Sequence, residues 1–266
     1  MALLRAQCEV GPRVPGTAAH ARMREWLKQE MEKSAERVVV QDFRYRNLTL
    51  RNVVGIFNEK AIRQVLLCAH WDSRPAADME ITASKRRMPV PGANDGASGV
   101  AVLLQLARMF RNLPPKVGVV IALFDGEDYG DFERDEGVFL GSRHFASRLR
   151  EVCNPAYGIL LDMVGDKDLG ICREGNSELL ARRFNDLVFR IAGELGFRKY
   201  FPDTVRYTVT DDHVPINEAG VPCIDLIDFD YRYWHTVEDT PDKCSPESLR
   251  IVGEVVAEVV YREPSK

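Results

Sequence analysis

The feature that most constrains this chain is an alternation of two periodicities. Short apolar, β-branched runs occur at Val38–Phe43, Leu48–Phe57, Val65–Ala69, Val117–Phe124, Tyr157–Leu161 and Cys223–Ile227. Each is of strand length, and most are bounded by turn residues or charges. Between them the apolar residues recur with a helical period. Met23, Trp26, Leu27 and Met31 mark one face of a helix from about Ala18 to Ser34. Val100, Leu103, Leu104, Ala107 and Phe110 mark another; Leu179, Leu180, Phe184, Leu187, Ile191 and Leu195 mark a third, stopped by Gly196. A last helix opens at Ser245-Pro246-Glu247, an N-cap followed by proline at the first helical position, and continues through Leu249, Val252, Val256 and Val259. The first three runs follow one another closely and predict antiparallel pairing. The later ones alternate with helices and predict parallel crossovers. The expected fold is α/β: a three-layer α/β/α sandwich around a mixed, mostly parallel sheet. With no repeat, low-complexity segment or linker in 266 residues, one domain over 1–266 is expected.

Several classes of function are disfavoured. The net charge is −4, and the densest basic patch, Lys85-Arg86-Arg87, is short and lies in a predicted loop, so nucleic acid is not an expected partner. The longest strongly apolar run, Val117–Phe124, is far too short to span a bilayer. No charged segment followed by a sustained apolar stretch opens the chain, so no signal peptide is visible. The compartment stays open: periplasmic or secreted if a leader has been removed, otherwise cytoplasmic. The six cysteines are scattered without close pairs, which fits neither a disulfide framework nor a cysteine zinc site.

In a sheet of this kind ligands bind beyond the carboxyl ends of the strands. The residues there are an unusual set. Val65–Ala69 runs into His70-Trp71-Asp72, Val117–Phe124 into Asp125-Gly126-Glu127-Asp128, and Tyr157–Leu161 into Asp162. Asp95 sits in the turn Gly92-Ala93-Asn94-Asp95-Gly96, and Trp234-His235 lie in a loop after Cys223–Ile227. Taken singly, Asp95 reads as a turn or cap residue, His70 as a structural histidine, and the acidic run up to Glu136 as a solvated loop. Taken together, clustered carboxylates at one sheet edge repel one another, and a cation compensates. A mixed histidine and carboxylate shell suits zinc better than calcium or magnesium. Adjacent Glu127 and Asp128, read as extended backbone at a strand end, are expected to diverge, one toward the metal and one free to carry protons. Crowding by other carboxylates is expected to raise the pKa of the proton carrier. His213 reads either as a partner of Asp211 or Asp212 or as a buried structural histidine, the latter being favoured.

Six blocks, in order, resemble the zinc aminopeptidases of the co-catalytic two-metal type: His70-Trp71-Asp72-Ser73-Arg74-Pro75, Gly92 to Gly99, Phe124 to Asp128, Leu140-Gly141-Ser142-Arg143, Leu161 to Gly165, and His235-Thr236. Within that superfamily, Asp211-Asp212-His213-Val214-Pro215 and Tyr233-Trp234-His235-Thr236 are similar to the glutaminyl-peptide cyclotransferases, the bacterial ones in particular. The resemblance implies a zinc exopeptidase-like fold of the phosphorylase/hydrolase type. It implies Asp95, Asp128 and His235 as zinc ligands, Glu127 as general acid and base, Asp162 and Asp211 as hydrogen-bonding partners in the catalytic set, and Trp234 as a wall of the substrate pocket. One zinc is expected, with His70 and Asp162 available to hold a second, bridged by Asp95. The implied partner is a peptide with a free amino terminus. The implied activity is conversion of amino-terminal glutamine to pyroglutamate with release of ammonia. A metallo-aminopeptidase and a non-catalytic binding module of the same fold are the alternatives. One departure stands out: the loop Asp131–Val138 lacks the tryptophan that mammalian cyclases carry there.

Overall fold

The computed structural model describes residues 1–265, leaving only Lys266, the end of the expected domain, outside the described residues. In chain order the elements are α1 (Ala2–Glu9), α2 (Ala18–Glu32), β1 (Arg37–Tyr45), β2 (Leu48–Phe57), β3 (Gln64–His70), α3 (Ala97–Asn112), β4 (Gly118–Phe124), α4 (Leu140–Ser147), α5 (Leu149–Val152), β5 (Tyr157–Asp162), β6 (Arg173–Glu174), α6 (Gly175–Glu194), β7 (Val205–Tyr207), α7 (His213–Glu218), β8 (Cys223–Ile227) and α8 (Pro246–Arg262). A 3₁₀ turn covers Lys85–Arg87, of which Arg86 and Arg87 are exposed.

Local chemistry sets several of these boundaries as expected. The Thr17 side chain accepts the His20 N–H and caps α2. The Ser245 side chain accepts from Glu247 and Ser248 at the start of α8, where proline sits in the first turn. Gly196, at φ +82°, takes the left-handed position that ends α6. Three features were not expected. α1 packs on α3, with the Gln7 amide donating to the Ala97 carbonyl at 3.0 Å. The helices α4, α5 and α7 and the β6–β7 pair are too short to show a period.

The main sheet has the order β1-β2-β4-β3-β5-β8. β1 pairs antiparallel with β2, and β2 antiparallel with β4. β4, β3, β5 and β8 are mutually parallel. The expectation that the first three strands pair antiparallel is therefore corrected at β3, which pairs with β4 and β5 and not with β2. The cause lies in its burial. Val65, Leu67 and Ala69 enter the apolar cluster under α2, α3, α6 and α8, while Leu66 and Cys68 enter the one under α4 and α7. A strand apolar on both faces belongs in the middle of a sheet, and α3 carries the chain from β3 to its parallel neighbour β4. Truncating such a residue, Leu67→Ala for example, would cost about 2–5 kcal/mol. The central strands β3, β4 and β5 all point their carboxyl ends at one rim.

Candidate metal and catalytic centre

The rim is assembled from strand ends and from the turns that follow them. His70 is the last residue of β3 and Asp162 the last of β5. The His70 ring lies under the turn carrying Asp95, so closely that a Cβ on Gly96 would stand 2.6 Å from the His70 carbonyl and 2.7 Å from its ring. Only glycine fits there. The same turn is held from the other side by Asp239, whose carboxylate accepts the N–H groups of Asn94 (2.8 Å) and Asp95 (3.2 Å). Arg13, fully buried, adds donations to the carbonyls of Trp71, Pro91 and Gly92.

Glu127 and Asp128 are not on extended backbone, as the sequence suggested, but in a bend past the end of β4. Asp72 makes that bend: its two oxygens accept the Glu127 N–H at 3.1 Å and the Asp128 N–H at 3.2 Å. The side chains still diverge. The Glu127 carboxylate lies 3.8 Å from His70 Nδ1, and Asp128 Oδ1 turns to His235 Nε2 at 3.4 Å.

The sequence-predicted residues converge on two groups that share Asp95. Asp95 Oδ1 and Asp162 Oδ1 lie 3.1 and 3.2 Å from His70 Nε2. On the other side, Asp95 Oδ2 and Asp128 Oδ1 lie 3.7 and 3.4 Å from His235 Nε2. In each group one atom from each of the three residues falls within 4.8 Å of the others. All five side chains are buried.

Charge is crowded here, and the ionisations respond. Burial pushes Glu127 well above the usual carboxylate range, and Asp128, Asp211 and Asp212 reinforce this against His70. Burial likewise raises Asp162 to about 7, although His70 works the other way. Burial alone would lower His235, but Asp128, Asp78 and Asp95 outweigh it and push the ring up to about 9.

A cavity of about 960 Å³ opens onto this centre, and Glu127, Asp95, Asp162, Asp211, His235 and Trp234 line it. Trp234 stacks on the His235 ring at 4.0 Å between centroids and meets Phe229 at 5.1 Å. Asp211 accepts the Asp212 N–H with one oxygen, and its other oxygen has no hydrogen-bond partner. His213 faces neither Asp211 nor Asp212; its Nε2 is 3.3 Å from Glu174 and its Nδ1 is 4.0 Å from Asp225. The ring is buried, as a structural histidine would be, but neither ring nitrogen meets a hydrogen-bond partner. Of the acidic loop, Glu133, Asp135 and Glu136 are exposed, while Asp131 is half-buried.

Sequence reasoning missed several contributors. Phe132 occupies the loop that lacks a tryptophan, 6.1 Å from the His235 ring. Asp72, Arg74, Asp78 and Asp239 support the ligand groups without being recognisable as supports. Only Asp72 carried a signal, two residues past His70 and thus on the same side of an extended strand end.

The sequence matches Peptidase family M28 over residues 52–260, and the chain belongs to that family of metal-dependent enzymes. Among solved structures, the chain is similar to a glutaminyl cyclase of Tannerella forsythia, with 37% identity, a TM-score of 0.94, and coverage of 99% of this chain and 97% of that one. It is equally similar in shape to a Zn-dependent exopeptidase of Parabacteroides distasonis, with 36% identity, a TM-score of 0.94, and coverage of 98% and 96%. An aminopeptidase of Bacillus subtilis (YwaD) is 30% identical over 242 residues; these span 84% of this chain but 46% of that protein's length. The α/β exopeptidase architecture is thereby established, and zinc is the metal the family implies.

The residues fit that metal. Asp128 Oδ2 is buried with no hydrogen-bond partner, an arrangement that costs free energy unless something else satisfies it. Ligand atoms about 2.0–2.2 Å from a tetrahedral zinc stand roughly 3.4 Å apart, the spacing that His235 Nε2 keeps from Asp128 Oδ1. Among the described residues no helix is long and apolar enough to cross a membrane.

Proposed function

We propose that this chain is a zinc-dependent glutaminyl-peptide cyclotransferase, closing amino-terminal glutamine of a peptide to pyroglutamate with release of ammonia. The observation that carries the reading is the end-to-end similarity to the Tannerella forsythia cyclase, with Trp234 standing in the cavity wall beside Glu127. Asp95, Asp128 and His235 would hold one zinc, which when bound supplies a Lewis acid for the γ-carbonyl of the glutamine. Glu127 carries the proton. Its carboxylate faces the cavity, and burial among acids gives it the affinity for a proton that a shuttle requires. The α-nitrogen attacks the γ-carbonyl carbon, forming the ring C–N bond, and Glu127 takes the proton that nitrogen sheds. As the bond to the side-chain nitrogen breaks, Glu127 returns that proton and ammonia leaves. Trp234 and Phe229, in contact with each other, line the cavity and would give the substrate an apolar surface.

The second group, His70, Asp95 and Asp162, favours one alternative. An aminopeptidase with a metal pair would use it, since Asp95 belongs to both groups and would serve both metals. Assay of the purified protein on a glutaminyl-peptide and on leucyl-amide separates the two. Ammonia release from the glutaminyl substrate without amide hydrolysis is expected; hydrolysis of leucyl-amide at a comparable rate would overturn the cyclase reading.

A further inference from the structure

Arg74 and Asp78 stand outside both ligand groups and outside the proton path, yet touch two of the three residues assigned to the zinc. Arg74, four residues past His70, is 8% exposed, and its guanidinium reaches in two directions. Nη1 donates to Asp128 Oδ1 at 2.9 Å and to the Asp128 carbonyl at 3.3 Å. Nε donates to Asp78 Oδ2 at 2.9 Å, and Nη2 donates to the same oxygen. The group is covered by the Phe132 ring, 5.0 Å away. The other Asp78 oxygen, Oδ1, lies 3.1 Å from His235 Nδ1.

Hydrogen-bond chemistry fixes what this chain of contacts does. An ionised Asp78 can only accept, so it takes a hydrogen from His235 Nδ1 and leaves Nε2, which faces Asp95 and Asp128, as the nitrogen that would bind a metal. The guanidinium is a planar fork, able to serve two carboxylates along separate directions at once, which a lysine ammonium on a flexible stem does less rigidly. Both ligands need such help. Asp128 sits in a bend and His235 in a loop, so neither has a strand ladder to hold it. Asp78 itself is 45% exposed, so its grip on the ring depends on the buried Arg74 behind it.

We propose that Arg74 and Asp78 form a positioning clamp for the metal. Asp78 sets the His235 tautomer and orientation, and Arg74 ties that carboxylate to Asp128, so the two ligands keep a fixed separation before the ion arrives. The inference rests on the reading of Asp128 and His235 as ligands. Neighbours of a ligating histidine tune metal affinity by roughly 10–100-fold.

The test is zinc affinity, measured by chelator competition on the full chain for wild type, Asp78→Ala, Asp78→Asn, Arg74→Lys and His235→Ala. It is paired with ¹⁵N NMR of the His235 ring in metal-free protein, followed to a pH at which the ring is neutral. Asp78→Ala is expected to bind zinc roughly 10–100-fold more weakly and to lose the single Nδ1–H tautomer. Asp78→Asn, which keeps an acceptor oxygen but not the charge, falls between it and wild type. Arg74→Lys is expected to weaken zinc binding by roughly five-fold or more, and it decides the matter if the alanine variant does not fold. Affinity within about two-fold of wild type in the Asp78 and Arg74 variants, with His235→Ala strongly weakened, overturns the clamp and leaves the ligand assignment standing. Unchanged affinity in His235→Ala as well overturns the ligand assignment, and the clamp with it.

Discussion

The two histidine and carboxylate groups share Asp95 and differ in almost everything else. His70 and Asp162 end central parallel strands, so ladder hydrogen bonds on β3 and β5 fix where they stand. Asp72, Glu127, Asp95 and Asp162 surround the His70 ring, and no arginine or lysine is paired with it among the described residues. Asp128 and His235 sit on turns instead. They are held by side chains, and a guanidinium stands directly behind one of them. One group is built by the sheet and the other by loops; each sends one residue to the cavity, Asp162 and His235, and keeps the other, His70 and Asp128, beneath it. The difference teaches that position and electrostatic support are separable in this centre; under the proposed function the loop-built group is the one that holds zinc.

The largest expected effect breaks the loop-built group. His235→Ala removes one of three ligands, and zinc content after dialysis against a chelator should fall to near zero, with activity following. Retained zinc would show that the other group is the true site. Next in size is Glu127→Gln, which keeps the shape and removes the proton carrier. Turnover should fall by about 10²–10⁴ with zinc content unchanged, and steady-state kinetics with metal analysis on one sample checks both. A drop of only a few-fold would remove Glu127 from that role.

His70→Ala sharpens the comparison, because it disables only the sheet-built group. One zinc per chain and measurable ammonia release should persist; loss of all metal would mean the two groups fill together. Trp234→Ala should act mainly on KM, by about ten-fold, since it removes wall area and not a charge. A change confined to kcat would place Trp234 nearer the chemistry than the wall.

The smallest effect lies behind both groups, at Glu174. Burial alone would raise this carboxyl, but His213 and the N–H groups of Val209 and Asn176 hold it at about 2, below its ordinary 4.5. A depressed folded pKa contributes stability that is complete above about pH 4.5 and is lost as the pH falls toward 2. Glu174→Gln should therefore lower Tm at pH 6 and converge on wild type near pH 2, as thermal melts across that range would show.

Legibility in the sequence followed the same divide. His70, Asp162 and the position of Glu127 beyond a strand could be read because a short apolar run announces its own end, and the rim of a parallel sheet is where such ends meet. The order of the strands was harder. Val65–Ala69 is apolar throughout, as a strand covered on both faces should be, but its close succession to Leu48–Phe57 suggested an antiparallel partner, so its place between β4 and β5 was hidden. The bend at Glu127 was equally hidden, since it depends on Asp72, a residue from another strand end. Arg74 stood only within a block of the resemblance and Asp78 gave no signal, because what matters about them is contact with Asp128 and with His235, the latter 157 positions along from Asp78. Phe132 showed only as a missing tryptophan.

The most direct test of the central claim, one zinc in the loop-built group serving a cyclase, is a titration of metal-free protein with zinc while ammonia release from a glutaminyl-peptide is followed. The account predicts activity that rises linearly and is complete at one zinc per chain. Activity that stays low until a second equivalent is bound would contradict it and make the His70 and Asp162 group a working half of a metal pair.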